Sequence, residues 1–159
     1  MKLDKFDKFV VGLGLSIALA APSTASAQQI GYAKTIGTVR IENKGTQALV
    51  ALNYSCKSGN HLWVSLKQSR SGRRNVRIQR EGSGGKKVAK TWLDSHRNPV
   101  VCDGKRHQVK FSVDKLEPGK YGKLRKGVAW LQFCVTDSTK PDMDPSGLTV
   151  YLPKWVKTR

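Results

Sequence analysis

A small antiparallel all-β sandwich is the fold this sequence predicts, on three observations. Apolar residues alternate with polar ones at a period of two along several short segments. Glycine- and asparagine-rich turn signals separate those segments, and no stretch carries a convincing helical period. Trp63, Trp92, Trp130 and Trp155, with the alternating stretches, supply a core that a disordered basic tail would lack.

The chain opens on a different kind of segment. Lys2, Lys5 and Lys8 make a basic start, Val10 to Ala21 is a short apolar run, and Ala25-Ser26-Ala27 is a small-x-small cleavage site. That order reads as a secretory signal peptide over residues 1–27, with an uncleaved signal anchor as the alternative. The run is shorter than the roughly 20 apolar residues of a membrane span. No cysteine adjoins the cleavage site to carry a lipid. The expectation is an exported chain, residues 28–159, folding as one domain where disulfides persist.

In that chain, Val39 and Ile41 share a face of a strand over 37–42, and Asn43-Lys44-Gly45-Thr46 turns it back. Gln47 to Cys56 places Ala48, Val50, Leu52, Tyr54 and Cys56 on one side. After the Lys57-Ser58-Gly59-Asn60 turn, His61 to Gln68 sends Leu62, Val64 and Leu66 inward against Trp63, Ser65 and Lys67. Asn75 to Arg80 pairs Val76 with Ile78 on one face, Gly82 to Gly85 is a flexible turn, and Lys86 to Leu93 is the partner strand of a basic hairpin. Asp94 to Pro99 reads as loop. His107 to Val113 is a strand through Val109, Phe111 and Val113, followed by a glycine- and lysine-rich loop to Gly127. Val128 to Val135 is apolar on both faces and therefore central. An acidic loop, Asp137 to Gly147, leads to Leu148–Leu152, where Pro153 ends the strand or confines it to an edge.

Seven to eight such strands describe a sandwich in the manner of immunoglobulin-like domains, with a small barrel as the alternative. Three cysteines imply one bridge and one thiol outside it. Cys56 and Cys102 both sit where strands meet turns, whereas Cys134 lies in the most apolar strand and suits a small core residue. Cys56–Cys102 is the expected pair. Up-down alternation would instead bring Cys102 and Cys134 to one end. A bridge closing the 56–102 loop stabilises the fold by roughly 3–4 kcal/mol in the chain-entropy model.

The spacing Cys56-x-x-Gly59, the strand Trp63-Val64-Ser65-Leu66-x-Gln68, Cys102-Asp103-Gly104 and a late Cys134 resemble a group of uncharacterised secreted β-sandwich proteins of high-GC Gram-positive bacteria. The resemblance covers residues 47–136. It implies an immunoglobulin-like fold and secretion, and carries no activity. The basic insertion from Arg70 to Lys90 departs from the pattern.

Chemistry is scarce. Asp94-Ser95-His96 contains the residue types of a hydrolase triad, but sequence adjacency is not triad geometry, and no nucleophile-elbow pattern surrounds a serine. The histidines and cysteines lack C-x-x-C and H-x-x-x-H spacings, and Asp142-Met143-Asp144 lacks a full calcium-loop ligand series. Gly82 to Lys87 lacks the spacing of a phosphate-binding loop. The expectation is a non-enzyme with no metal and no cofactor. A hydrolase would need His96 or His107 beside a carboxylate in a cleft.

Charge is the one functional lead. The signal segment holds three lysines and two aspartates, so its removal leaves a net charge of +17. That excess favours polyanions as partners and a monomer in solution. Arg70, Arg73, Arg74, Arg77, Arg80, Lys86, Lys87 and Lys90 form the first cluster and the candidate polyanion site. Lys115 to Lys126 holds a second cluster, and Lys154, Lys157 and Arg159 a third. The expected partners are anionic cell-envelope polymers or anionic lipid. Sequence-specific nucleic-acid binding is disfavoured because no aromatic interleaves the basic run before Trp92. The alternative function is protein recognition through Trp63 and Tyr121 as aromatic anchors.

Overall fold

The computed structural model describes residues 31–80, 82–97, 99–116, 122–140 and 147–159. The expected signal segment, Tyr121 and the Asp142–Asp144 pair lie outside these described residues, as does the side chain of Lys86. Among the described residues there are nine strands: β1 (Tyr32–Thr35), β2 (Arg40–Glu42), β3 (Gln47–Ser55), β4 (His61–Ser69), β5 (Ala89–Arg97), β6 (His107–Val113), β7 (Lys115–Leu116), β8 (Gly127–Thr136) and β9 (Leu148–Thr158).

They form two packed antiparallel sheets. In the four-stranded sheet β3 is central, with β6 along one edge. β1 and β2 pair with successive halves of the other edge, since Leu52 and Ala48 each face β6 as well. The five-stranded sheet runs β7-β5-β4-β8-β9. Strict alternation in β3 buries Ala48, Val50, Leu52 and Tyr54. These side chains meet Leu62, Val64, Leu66, Leu131, Phe133 and Val135 of the facing sheet in one apolar cluster. Such burial is the main stabilising term, about 1.5–3 kcal/mol for each large apolar side chain. β8 is buried from Ala129 to Val135 and lies between β4 and β9, as its two-sided apolar pattern requires.

Cys56 and Cys102 form the disulfide, with Cα atoms 4.6 Å apart. Cys134 takes no part in it and is buried in β8. A parallel bridge from Val39 to Thr158 joins the two sheets. The Val39 and Ile41 N–H groups donate to Lys157 O and Arg159 O at 3.0 and 2.7 Å, and the Arg159 N–H returns to Val39 O at 3.0 Å.

The basic hairpin is the main correction. Val76–Gln79 is a 3₁₀ turn and Gly82–Val88 a short α-helix, α1. Asn75 caps the turn by accepting from the Arg77 N–H at 3.1 Å. With about three residues per turn, positions two apart point in different directions. Val76 is accordingly 62% exposed and Ile78 fully buried. Gly85 lies so close to Arg80 that a Cβ would stand 2.1 Å from the Arg80 carbonyl oxygen, so glycine is required there.

Boundaries elsewhere also move. β5 continues to Arg97, through residues expected as loop, because they pair with Ser65 to Leu62. β9 continues past Pro153 to Thr158, which an edge strand allows because proline's missing donor need not serve a ladder. β1 was not foreseen: Tyr32–Thr35 is too short for an alternation to register.

Candidate functional site

The end of the sandwich where β4 and β9 finish and β8 begins gathers basic residues from all three clusters. Arg70, Arg73, Arg74, Arg77, Arg80, Lys87 and Lys90 are exposed, as are Lys123, Arg125, Lys126, Lys157 and Arg159. Main-chain contacts fix the convergence. The Val128 N–H donates to Gly72 O at 2.7 Å, so the turn after β4 lies against the start of β8. Gly127 has φ +148°, and a Cβ there would stand 2.3 Å from Gly72 O. The 122–126 segment crosses this end: Gly122 sits by Lys90, and the Leu124 N–H donates to Gly45 O at 2.8 Å, beside exposed Lys44.

Gln68 is the bracket beneath these loops. Its buried amide donates to Arg125 O at 2.9 Å and accepts from the Arg125 N–H at 2.9 Å. The Thr158 hydroxyl donates to the same carbonyl at 2.8 Å, and the Ser69 hydroxyl donates to Arg73 O at 2.7 Å. Gln68 thus ties the second basic cluster to the strand that launches the first. Alternation alone would have placed it on the core side of β4, and its role was missed. The Arg74 guanidinium lies 5.2 Å from the Trp155 ring centre. Arg70, Arg73, Arg77 and Arg80 form no ion pair with a described carboxylate, whereas Arg40 holds Glu42 at 3.2 Å. Exposed guanidinium groups on a fixed main chain can grip phosphate oxygens two at a time.

Beside this end, the outer face of the five-stranded sheet is buried yet polar. Register places Trp92, Lys67, Trp130 and Trp155 in one row across four strands. Lys67 is 0% exposed, with Nζ 3.9 Å from the Trp92 ring centre. Ser65 lies one row away. The Ser65 hydroxyl and the Trp130 and Trp155 indole N–H groups are buried with no hydrogen-bond partner among the described residues. The 3₁₀ turn packs on β4 and α1 on β5. Cross-strand register, which a single sequence does not supply, is what reveals this row.

The histidines divide between two sites. His107 Nε2 is 2.8 Å from Asp103 Oδ1, which also accepts from the Lys105 N–H at 2.9 Å. The bond from His107, with that from Lys105, holds the Asp103 carboxyl below its ordinary range. His96 Nδ1 is instead 2.9 Å from His61 Nε2. Burial pushes the His96 imidazole below its ordinary value, with Asp94 opposing and His61 and Lys115 reinforcing the shift. The Ser95 hydroxyl donates to Asp114 Oδ1 at 3.3 Å. Asp94, Ser95 and His96 therefore do not form a relay. Among the described residues, no group of three or more His, Cys, Asp or Glu side chains gathers into a metal site.

Trp63 is half-buried on the outer face of β4, opposite His96. No helix among the described residues is long and apolar enough to cross a membrane. No protein-family model matches the chain, and no curated protein shows significant similarity to it.

Proposed function

We propose that the chain is an exported, non-enzymatic module that docks on anionic cell-envelope polymers through its cationic end. The observation that carries this reading is convergence. Basic runs far apart in sequence meet at one end of the sandwich, on loops that Gln68 and Thr158 hold by hydrogen bonds. Solubility alone asks for charge but not for its collection on one fixed surface. Polymer phosphodiesters fit the arginine forks, and the remaining lysines add diffuse attraction.

We read the sandwich as immunoglobulin-like. The split edge strand β1/β2, β3 and β6 correspond to A, B and E, and β5, β4, β8 and β9 to C′, C, F and G. The parallel bridge of Val39 to Thr158 joins the split edge strand to the last strand. The disulfide departs from that plan, because it links the end of β3 to the segment before β6 instead of crossing to β8. Cys134 lies on the outer face of β8, opposite Trp63 and Tyr151, and so points away from β3.

The test is binding to a purified wall polyphosphate as a function of salt. Each cation–phosphate pair releases counterions, so affinity falls steeply as salt rises. Changing Arg73, Arg74, Arg125 and Lys126 together to Gln shrinks the salt slope by about one for each phosphate no longer neutralised. The same exchange at Lys57, Lys105 and Arg106, at the opposite end, leaves it unchanged. Equal effects from the two sets, or salt-insensitive binding, refute the reading. Anionic vesicles and DNA serve as rival ligands. Mass analysis of the exported chain is expected to place its first residue at Gln28.

A further inference from the structure

The two imidazoles at the start of β4 and near the end of β5 form a second site, apart from the cationic end. His96 stands opposite Trp63, and His61 lies two residues before Trp63 on the same strand. Both histidines therefore occupy the outer face of the five-stranded sheet as diagonal neighbours. Their strands are held in the ladder: His61 pairs with Thr136 of β8, and His96 with Trp63 of β4. The ring centres are 5.1 Å apart with planes inclined at 45°, so the rings meet edge to edge through their nitrogens and do not stack.

We propose that His61 Nε2 and His96 Nδ1 form a two-imidazole chelate for a divalent transition metal, copper(II) or nickel(II). The nitrogens stand 2.9 Å apart. With metal–nitrogen bonds near 2.0–2.1 Å, that separation corresponds to a nitrogen–metal–nitrogen angle of about 90°. A right angle is the cis angle of square-planar, tetragonal and octahedral ions, whereas tetrahedral zinc(II) requires the nitrogens to spread by a few tenths of an ångström. In the metal-free pair one ring donates its N–H to the other. Binding requires both lone pairs, so the donor ring moves that proton to its other nitrogen, with no net proton released from two neutral rings. The ladder already holds the two strands in register, so binding asks only that each ring swing about its side-chain bonds, turning its lone pair from the other nitrogen toward the shared metal.

The setting fixes the character of the site. His96 is exposed and His61 half-buried, which leaves an approach from solvent. Asp94 lies two residues along β5 on the same face and supplies favourable charge, opposed by Lys115 across the register. Because no group of three or more ligating side chains forms among the described residues, water completes the coordination. The chelate is a surface site with open positions, suited to capturing a metal or presenting it.

Titration of the protein with copper(II) chloride in a non-chelating buffer tests this directly. One equivalent is expected to bind with a tetragonal paramagnetic resonance spectrum showing coupling to two imidazole nitrogens. His61→Ala or His96→Ala lowers the association constant by about tenfold or more, since either leaves a single ligand without the benefit of chelation. The double variant is little worse than either single one. His107→Ala, which removes the remaining histidine, stays within about twofold of the parent because a single imidazole apart from the pair offers no chelation. Thermal unfolding without metal confirms that each variant folds. Copper binding unaffected by either single substitution, equally weakened by His107→Ala, or showing one nitrogen coupling in the parent overturns the assignment. None of these outcomes depends on whether the cationic end binds a polyanion.

Discussion

The two ends of the sandwich are closed by different means. At one, a disulfide pins Cys102 to the end of β3, and the Gly104 N–H donates to Cys56 O at 2.8 Å. Asp103 there is hydrogen-bonded to His107 at 2.8 Å. At the other end no covalent bond intervenes, and hydrogen bonds from Gln68 and Thr158 hold loops crowded with cations. The difference shows how like charges can be kept close together. A buried neutral amide fixes the main chain, and the charged groups stay in water, where repulsion is screened.

The largest test of this contrast is the covalent end. Changing Cys56 and Cys102 together to Ala removes a bridge with a sequence separation of 46. This is expected to cost about 4 kcal/mol in guanidinium unfolding by the chain-entropy model. At the cationic end, Gly127→Ala meets both the positive φ and the Gly72 carbonyl. A cost of about 2–3 kcal/mol follows, read from the same unfolding curves. Gln68→Ala leaves the Arg125 N–H without its side-chain acceptor, which lowers stability by about 2 kcal/mol. It also loosens the loop and weakens polymer binding.

Exposed cations behave oppositely. Arg73→Gln with Arg74→Gln shifts stability by no more than about 0.5 kcal/mol while reducing polymer affinity, so folding and binding separate at this end. The smallest effect is acid sensitivity at the disulfide end. The folded Asp103 carboxyl titrates below its ordinary 3.8, so its contribution is present above that value and lost as pH falls through the folded one. Asp103→Asn flattens that part of the acid limb in denaturant midpoints measured from about pH 5 downward.

The alternating segments were legible because one face of each strand packs into the core: β3, β4, β6 and β8 were found where expected. The Cys56–Cys102 pairing was also legible, since both cysteines flank turns. The 75–88 segment was misread because two apolar residues, Val76 and Ile78, are too few to distinguish a strand from a tight turn. Its basic residues Arg77, Arg80 and Lys87 are exposed on a turn and a helix instead of a hairpin. What held them together was illegible. Gln68 acts through residues 57 positions away in sequence, and the His61–His96 contact depends on cross-strand register.

Lys67 carries one further consequence. Its side chain is wholly enclosed on the outer face of the sheet, over Trp92, while Lys87, Lys90 and Lys123 stand in water. An amine-acylating reagent modifies those three at once, but reaches Lys67 only in molecules whose covering layer has lifted. The rate at which Lys67 gains the label is therefore a clock for local opening of that layer.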